Sequence, residues 1–142
     1  MIPFCKSEYL QDFTIALGLR SDLRRRWAPF FEASVDTLEM DDGPLEGLWI
    51  WVDSYYYTRV SFGLFEDRTM FVSIALLPTA NHSGYKVSFE TQADHLTFEQ
   101  IVDALDSTVT VATRLCYREC PLPLLRRFWR YEGEVEITGS LK

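Results

Sequence analysis

Residues 45–77 read LEGLWIWVDSYYYTRVSFGLFEDRTMFVSIALL, and the spacing of apolar residues in this stretch decides the fold. A half-buried strand sends successive side chains to opposite faces, so its apolar residues recur with a period of two. Val60, Phe62 and Leu64 fall on one face of such a strand; Arg59, Ser61 and Gly63 fall on the other. Glu66-Asp67-Arg68 interrupts the alternation. It resumes with Met70, Val72, Ile74 and Leu76 against Phe71, Ser73, Ala75 and Leu77. Two periodic runs split by a short polar segment predict a hairpin. The segment lacks the glycine of a two-residue primed turn, so a loop of about three to five residues is expected. Pro78 ends the second run by removing a backbone donor.

Upstream, Leu48, Ile50 and Val52 alternate with Trp49, Trp51 and Asp53, which predicts another strand with its aromatic bulk opposite its aliphatics. Downstream, Asn81-His82-Ser83-Gly84 has turn chemistry and leads into Tyr85, Val87 and Phe89 against Lys86, Ser88 and Glu90. Four consecutive antiparallel strands, a meander over 48–90, follow from these patterns.

Helices flank the meander. Ser7 is placed to cap a first helix with Tyr9, Phe13, Ala16 and Leu17 on one face and Gly18 at its end. Helical spacing of Leu23, Trp27, Phe30 or Phe31, Ser34, Val35 and Leu38 predicts a second helix from Ser21-Asp22 to about Leu38, broken near Pro29. Asp41-Asp42-Gly43-Pro44 is a turn. Thr97 and Gln100 have capping-box spacing, ahead of Phe98, Ile101, Val102 and Leu105 at i, i+3, i+4 and i+7. The β-branched run in Ser107–Leu115 predicts a fifth strand, Pro123 starts a last helix that Gly133 ends, and Glu134–Ile137 forms a short edge strand. The expected architecture is a single α+β domain over 1–142: an antiparallel sheet of about five strands packed with N-terminal and C-terminal helices.

A chain of 142 residues can bury a core without staples. The aromatic content, 15%, is high and implies a core or contact surface rich in rings. The net charge of −7 argues against a nucleic-acid binder, because affinity for phosphate comes from Lys and Arg. Three cysteines, no secretory leader and no apolar run of about 20 residues point to a reducing cytoplasm and no membrane.

No residue pattern here owns a chemistry. Cys116 and Cys120, with His82 and His95, lack a metal-ligand spacing, so no metal is expected. A cysteine–histidine pair with Asp94 beside His95 has no local nucleophile motif around it. No glycine-rich phosphate loop is present. The chain is expected to be no enzyme and to need no cofactor. Arg24-Arg25-Arg26 is read as a solvated face, with an anion site as the alternative.

What the sequence does show is charge segregation. Between Arg26 and Arg59 there is no Lys or Arg, while Glu32, Asp36, Glu39, Asp41, Asp42, Glu46 and Asp53 all lie there. Beside them stand Trp49, Trp51 and Tyr55-Tyr56-Tyr57, and Trp, Tyr and Arg are the residues enriched at binding hot spots.

The order of these features, amphipathic helices, a Trp/Tyr-rich meander containing FEDRTMFVSI, a Thr97-capped helix and a C-terminal helix, resembles immunity proteins of bacterial contact-dependent growth inhibition and related polymorphic toxin systems. The likeness spans about Asp22 to Trp129 and is one of pattern. It implies a non-enzymatic inhibitor that binds a cognate, basic toxin domain and covers its active site, a nuclease being one possibility. The expected partner-binding residues are Glu39, Asp41, Asp42, Glu46, Trp49, Trp51, Asp53, Tyr55, Tyr57 and Arg59. Two alternatives stay open: a small ligand-binding or enzymatic α+β domain with an aromatic-lined pocket, Tyr57 and Arg59 supplying its polar contacts, and a phage-type inhibitor whose carboxylates mimic nucleic acid.

Overall fold

The computed structural model of the chain describes residues 3–20, 22–23, 31–53, 58–78, 84–114 and 134–139. Among them the elements are α1 (Glu8–Gly18), β1 (Phe31–Met40), β2 (Gly43–Asp53), β3 (Thr58–Phe65), β4 (Thr69–Leu76), β5 (Tyr85–Gln92), α2 (Phe98–Arg114) and β6 (Glu134–Gly139). The six strands form one sheet in sequence order, with every neighbouring pair antiparallel. The fold is α+β, with the meander at its centre.

The period of two assigns the faces as they are. Leu48, Ile50 and Val52 of β2, Val60, Phe62 and Leu64 of β3, the even-numbered residues 70–76 of β4, and Val87 and Phe89 of β5 are all buried in one core. The two helices cover that face, α1 through Leu10, Phe13 and Leu17, and α2 through Ile101, Val102, Leu105 and Val109. Phe13 is fully buried where three elements meet. Its ring centroid lies 6.0 Å from Phe62 on β3 and 5.9 Å from Phe98 on α2. Burying one such ring contributes about 1.5–3 kcal/mol.

Both caps form. The Ser7 hydroxyl accepts from the Leu10 amide at 3.5 Å at the start of α1. At α2 the capping box is reciprocal: the Thr97 amide donates to Gln100 Oε1 at 2.9 Å, and the Gln100 amide donates to Thr97 Oγ1 at 3.2 Å. The β3–β4 loop has three residues, Glu66-Asp67-Arg68. Arg68 takes φ +68°, in the left-handed region, and its amide donates to the Phe65 carbonyl at 2.8 Å. That is the geometry of a three-residue hairpin, here without a glycine at the left-handed position. Its guanidinium lies 4.9 Å over the Tyr9 ring, which ties the loop to α1.

Two expectations are corrected. Phe31–Met40 is strand β1 and not the second half of a helix reaching Leu38. The same residues satisfy both periods, because Phe31, Ala33 and Val35 also alternate with Glu32, Ser34 and Asp36. Pairing with β2, from Phe31↔Val52 to Met40↔Gly43, selects the strand. The hairpin turns at Asp41-Asp42, and Gly43 takes φ +113°, which glycine adopts without strain. The second correction concerns Ser107–Leu115. Residues up to Arg114 continue α2 instead of forming a strand. Thr108 and Thr110 turn their hydroxyls back to the carbonyls of Ala104 (2.7 Å) and Asp106 (2.9 Å), which accommodates β-branched residues in a helix. Ile101, Leu105, Thr108 and Val109 then hold one buried stripe. The expected edge strand at 134–137 is β6, and the expected helix after Pro123 lies outside the described residues.

Glu46 joins the sheet to α1. It sits on β2 on the core side, 8% exposed, and its two carboxylate oxygens accept the backbone amides of Lys6 (2.9 Å) and Ser7 (2.8 Å). These amides lead directly into α1, where negative charge is favourable. Its own backbone is held by Glu66: the Glu46 amide donates to Glu66 Oε1 at 2.8 Å, and the Glu66 amide donates to the Glu46 carbonyl at 2.9 Å. Glu46→Gln keeps the volume but turns one acceptor into a donor facing an amide. It is expected to lower unfolding free energy by about 1–3 kcal/mol in urea titration, with loss of hydrogen-exchange protection at Lys6 and Ser7.

Candidate functional site

The β1–β2 hairpin runs past its neighbour in the sheet: β2 starts at Gly43, whereas its pairing with β3 begins only at Gly47, so residues 43–46 pair with β1 alone. Near its base, Phe31, Ala33 and Val35 pack against the core. Beyond them residues 36–42 are exposed without interruption. This arm carries Asp36, Glu39, Asp41 and Asp42 together with Leu38 (42% exposed) and Met40 (54% exposed). Cross-strand pairing puts Leu38 opposite Leu45 and Met40 opposite Gly43, on the face that also carries Asp36. Thr37 and Glu39 lie on the other face.

Of the residues expected at a partner surface, Glu39, Asp41 and Asp42 gather on this arm. Glu46 does not join them, because its carboxylate is buried and engaged by Lys6 and Ser7. Asp53 is matched by Arg59, its cross-strand partner, with Nε to Oδ1 at 2.7 Å. Both side chains are about half exposed, where such a pair contributes little to stability. Tyr55 and Tyr57 lie outside the described residues. Sequence reasoning missed Asp36, Leu38 and Met40, having placed Leu38 on the inward face of a helix. The Asp42-Gly43 dipeptide was the available signal, since it marks a hairpin when alternating residues flank it.

Trp49 and Trp51 are half-buried on the sheet face opposite the helices, with ring centroids 6.3 Å apart and planes at 16°. Trp49 also meets Phe65 edge-on at 5.4 Å and Phe71 at 5.9 Å. Two glycines make room for this cluster. Trp49 pairs with Gly63 across β2 and β3, and Gly47 pairs with Phe65. A Cβ on Gly63 would lie 2.9 Å from the Trp49 ring, and one on Gly47 would lie 2.6 Å from the Phe65 ring. Each ring lies over the glycine opposite it, and the two interlocked pairs pin the β2–β3 register. These tryptophans therefore act as register keys as well as partial surface.

Chemical options in the described residues are few. Among them no three His, Cys, Asp or Glu side chains cluster to hold a metal, and no helix is long and apolar enough to cross a membrane. Cys5 is 1% exposed; burial, reinforced by the charge of Glu46, pushes its thiol up to about 11. A thiol so protonated at neutral pH is no nucleophile. His82, Cys116 and Cys120 lie outside the described residues.

Family models, curated proteins and solved structures were all compared with the chain, and none matches it.

Two outcomes follow from this geometry. Gly63→Val should displace the Trp49 ring, cost about 1–3 kcal/mol, and shift tryptophan emission in the folded state. Cys5 should resist thiol reagents at neutral pH until the chain unfolds, as mapped by mass spectrometry. Its folded-state proton is held up to about pH 11, whereas the unfolded thiol loses it near 9.0. The contribution of Cys5 to stability is thus constant below that lower value and falls as pH rises between the two.

Proposed function

We propose that this chain is a non-enzymatic inhibitor that binds a basic toxin domain, as immunity proteins of contact-dependent and polymorphic toxin systems do, and occludes its working surface. One observation carries the proposal: the acidic β1–β2 arm, with four exposed carboxylates and two exposed apolar side chains and no Lys or Arg between Arg26 and Arg59. Carboxylates at the end of a projecting hairpin steer a cationic partner during approach. Leu38 and Met40, at the centre of the same arm, supply apolar area that leaves water on docking. Glu39, Asp41 and Asp42 keep the role expected of them, Asp36 joins them, and Glu46 is withdrawn to the fold.

The alternatives fit the geometry less well. The space between helices and sheet, where a ligand pocket would lie, is filled by Phe13, Phe62, Ile74, Ile101 and Leu105. A nucleic-acid mimic needs carboxylates strung out like phosphates, whereas these are gathered on one hairpin and mixed with apolar residues.

The test is co-expression with a toxin domain encoded beside this chain, followed by growth and association kinetics. The wild-type chain should restore growth. Asp41→Lys combined with Asp42→Lys should leave the circular dichroism unchanged, slow association by about tenfold or more at low ionic strength, and flatten its salt dependence. No protection by the wild-type chain, or association kinetics indifferent to the charge reversal, would overturn the proposal.

A further inference from the structure

β1 is the first strand of the sheet, and among the described residues no strand pairs with its outer edge. An edge strand presents a row of unpaired N–H and C=O groups, and proteins blunt such edges with lysine, proline, a bulge or a short strand. β1 has none of these. It is ten residues long, FEASVDTLEM, without Lys, Pro or Gly, and its register with β2 runs unbroken from end to end. Residues 36–40 are exposed in succession, and among the described residues no strand pairs with that half of the strand on its outer side.

The occupant of this edge is limited by charge. A second copy pairing along β1 would lay two strands side by side that each carry Glu32, Asp36 and Glu39 and no Lys or Arg, so no register sets a cation against these acids, and like charges across strands are destabilising. A strand bearing Lys or Arg would meet the opposite situation. We propose that the outer edge of β1 accepts a β-strand from a basic protein partner, which extends the sheet through backbone hydrogen bonds. This rests on the inhibitor reading and specifies how the partner is held. Asp36, Leu38 and Met40 share one face of β1, and Thr37 and Glu39 share the other. The complementary strand therefore has apolar residues mixed with cations on one face and cations on the other. Backbone pairing provides the affinity, and the acids set the partner's charge.

A short synthetic peptide with lysine at each position of one strand face and lysine and valine in turn on the other serves as the probe, with a control peptide whose pairing-edge amides are N-methylated. The control keeps every charge and loses the hydrogen bonds. With the unmethylated peptide, alternate amides of residues 36–40 should gain hydrogen-exchange protection. The control should bind about tenfold more weakly, the equivalent of one or two hydrogen bonds. Alternation also makes one of Thr37→Pro and Leu38→Pro remove an outward N–H; that variant should stay folded and lose peptide binding, while the other breaks the ladder to β2. Equal binding of the two peptides, absence of alternate protection, or self-association through these same amides would each overturn the proposal. Growth protection that survives the folded proline variant but not the Asp41→Lys/Asp42→Lys reversal would sink strand addition while leaving the inhibitor reading intact.

Discussion

Four neighbouring strands, β2 to β5, turn their aliphatic residues to the same side, and a sheet that is apolar on one face must have that face covered. The remaining architecture follows from this constraint. α1 and α2 supply the cover, and Phe13 marks the point where both helices and the sheet share one packed volume. Covering alone would leave α1 free to slide along the apolar surface. Glu46 removes that freedom, because a carboxylate fixed on β2 takes up the two amides that lead into the helix. Arg68 adds a second tie where its guanidinium rests on Tyr9.

Part of the sheet reaches beyond that cover. β2 begins to pair with β3 only at Gly47, so residues 43–46 and the residues of β1 opposite them extend as a two-stranded hairpin, and residues 36–42 are exposed. On this chain the bare end is where the acids are concentrated. Charged side chains need no cover, and with no Lys or Arg between Arg26 and Arg59 in the sequence the four carboxylates disfavour association with a like surface. The inhibitor proposal and the edge-strand proposal both draw on this arrangement, one on its charge and the other on its backbone.

Acidity in the sequence alone did not separate these roles. Glu39, Glu46 and Asp53 lie in one acid-rich stretch, yet one is exposed on the arm, one anchors a helix and one pairs with Arg59. What distinguishes them is what lies across the sheet or above it, and those neighbours are up to 40 residues away in the chain. Trp49 and Trp51 show the same difficulty. Their composition suggested hot-spot residues; their glycine partners on the neighbouring strand show that they also set the register.

Local pattern by itself determined the meander, the face of every strand from β2 to β5, a short loop at Glu66–Arg68, and both helix caps. Each depends on residues a few positions apart, and alternation or capping spacing is unambiguous there. Phe31–Met40 and Ser107–Arg114 were decided only by the tertiary structure. The first satisfies strand and helix periods equally, and it became a strand because β2 offers an edge to pair with. The second has strand-forming residues, and it stayed helical because Thr108 and Val109 extend the buried stripe begun by Ile101 while its threonine hydroxyls bond back within the helix. A period shared by two structures carries no choice between them, so long-range pairing and burial make it.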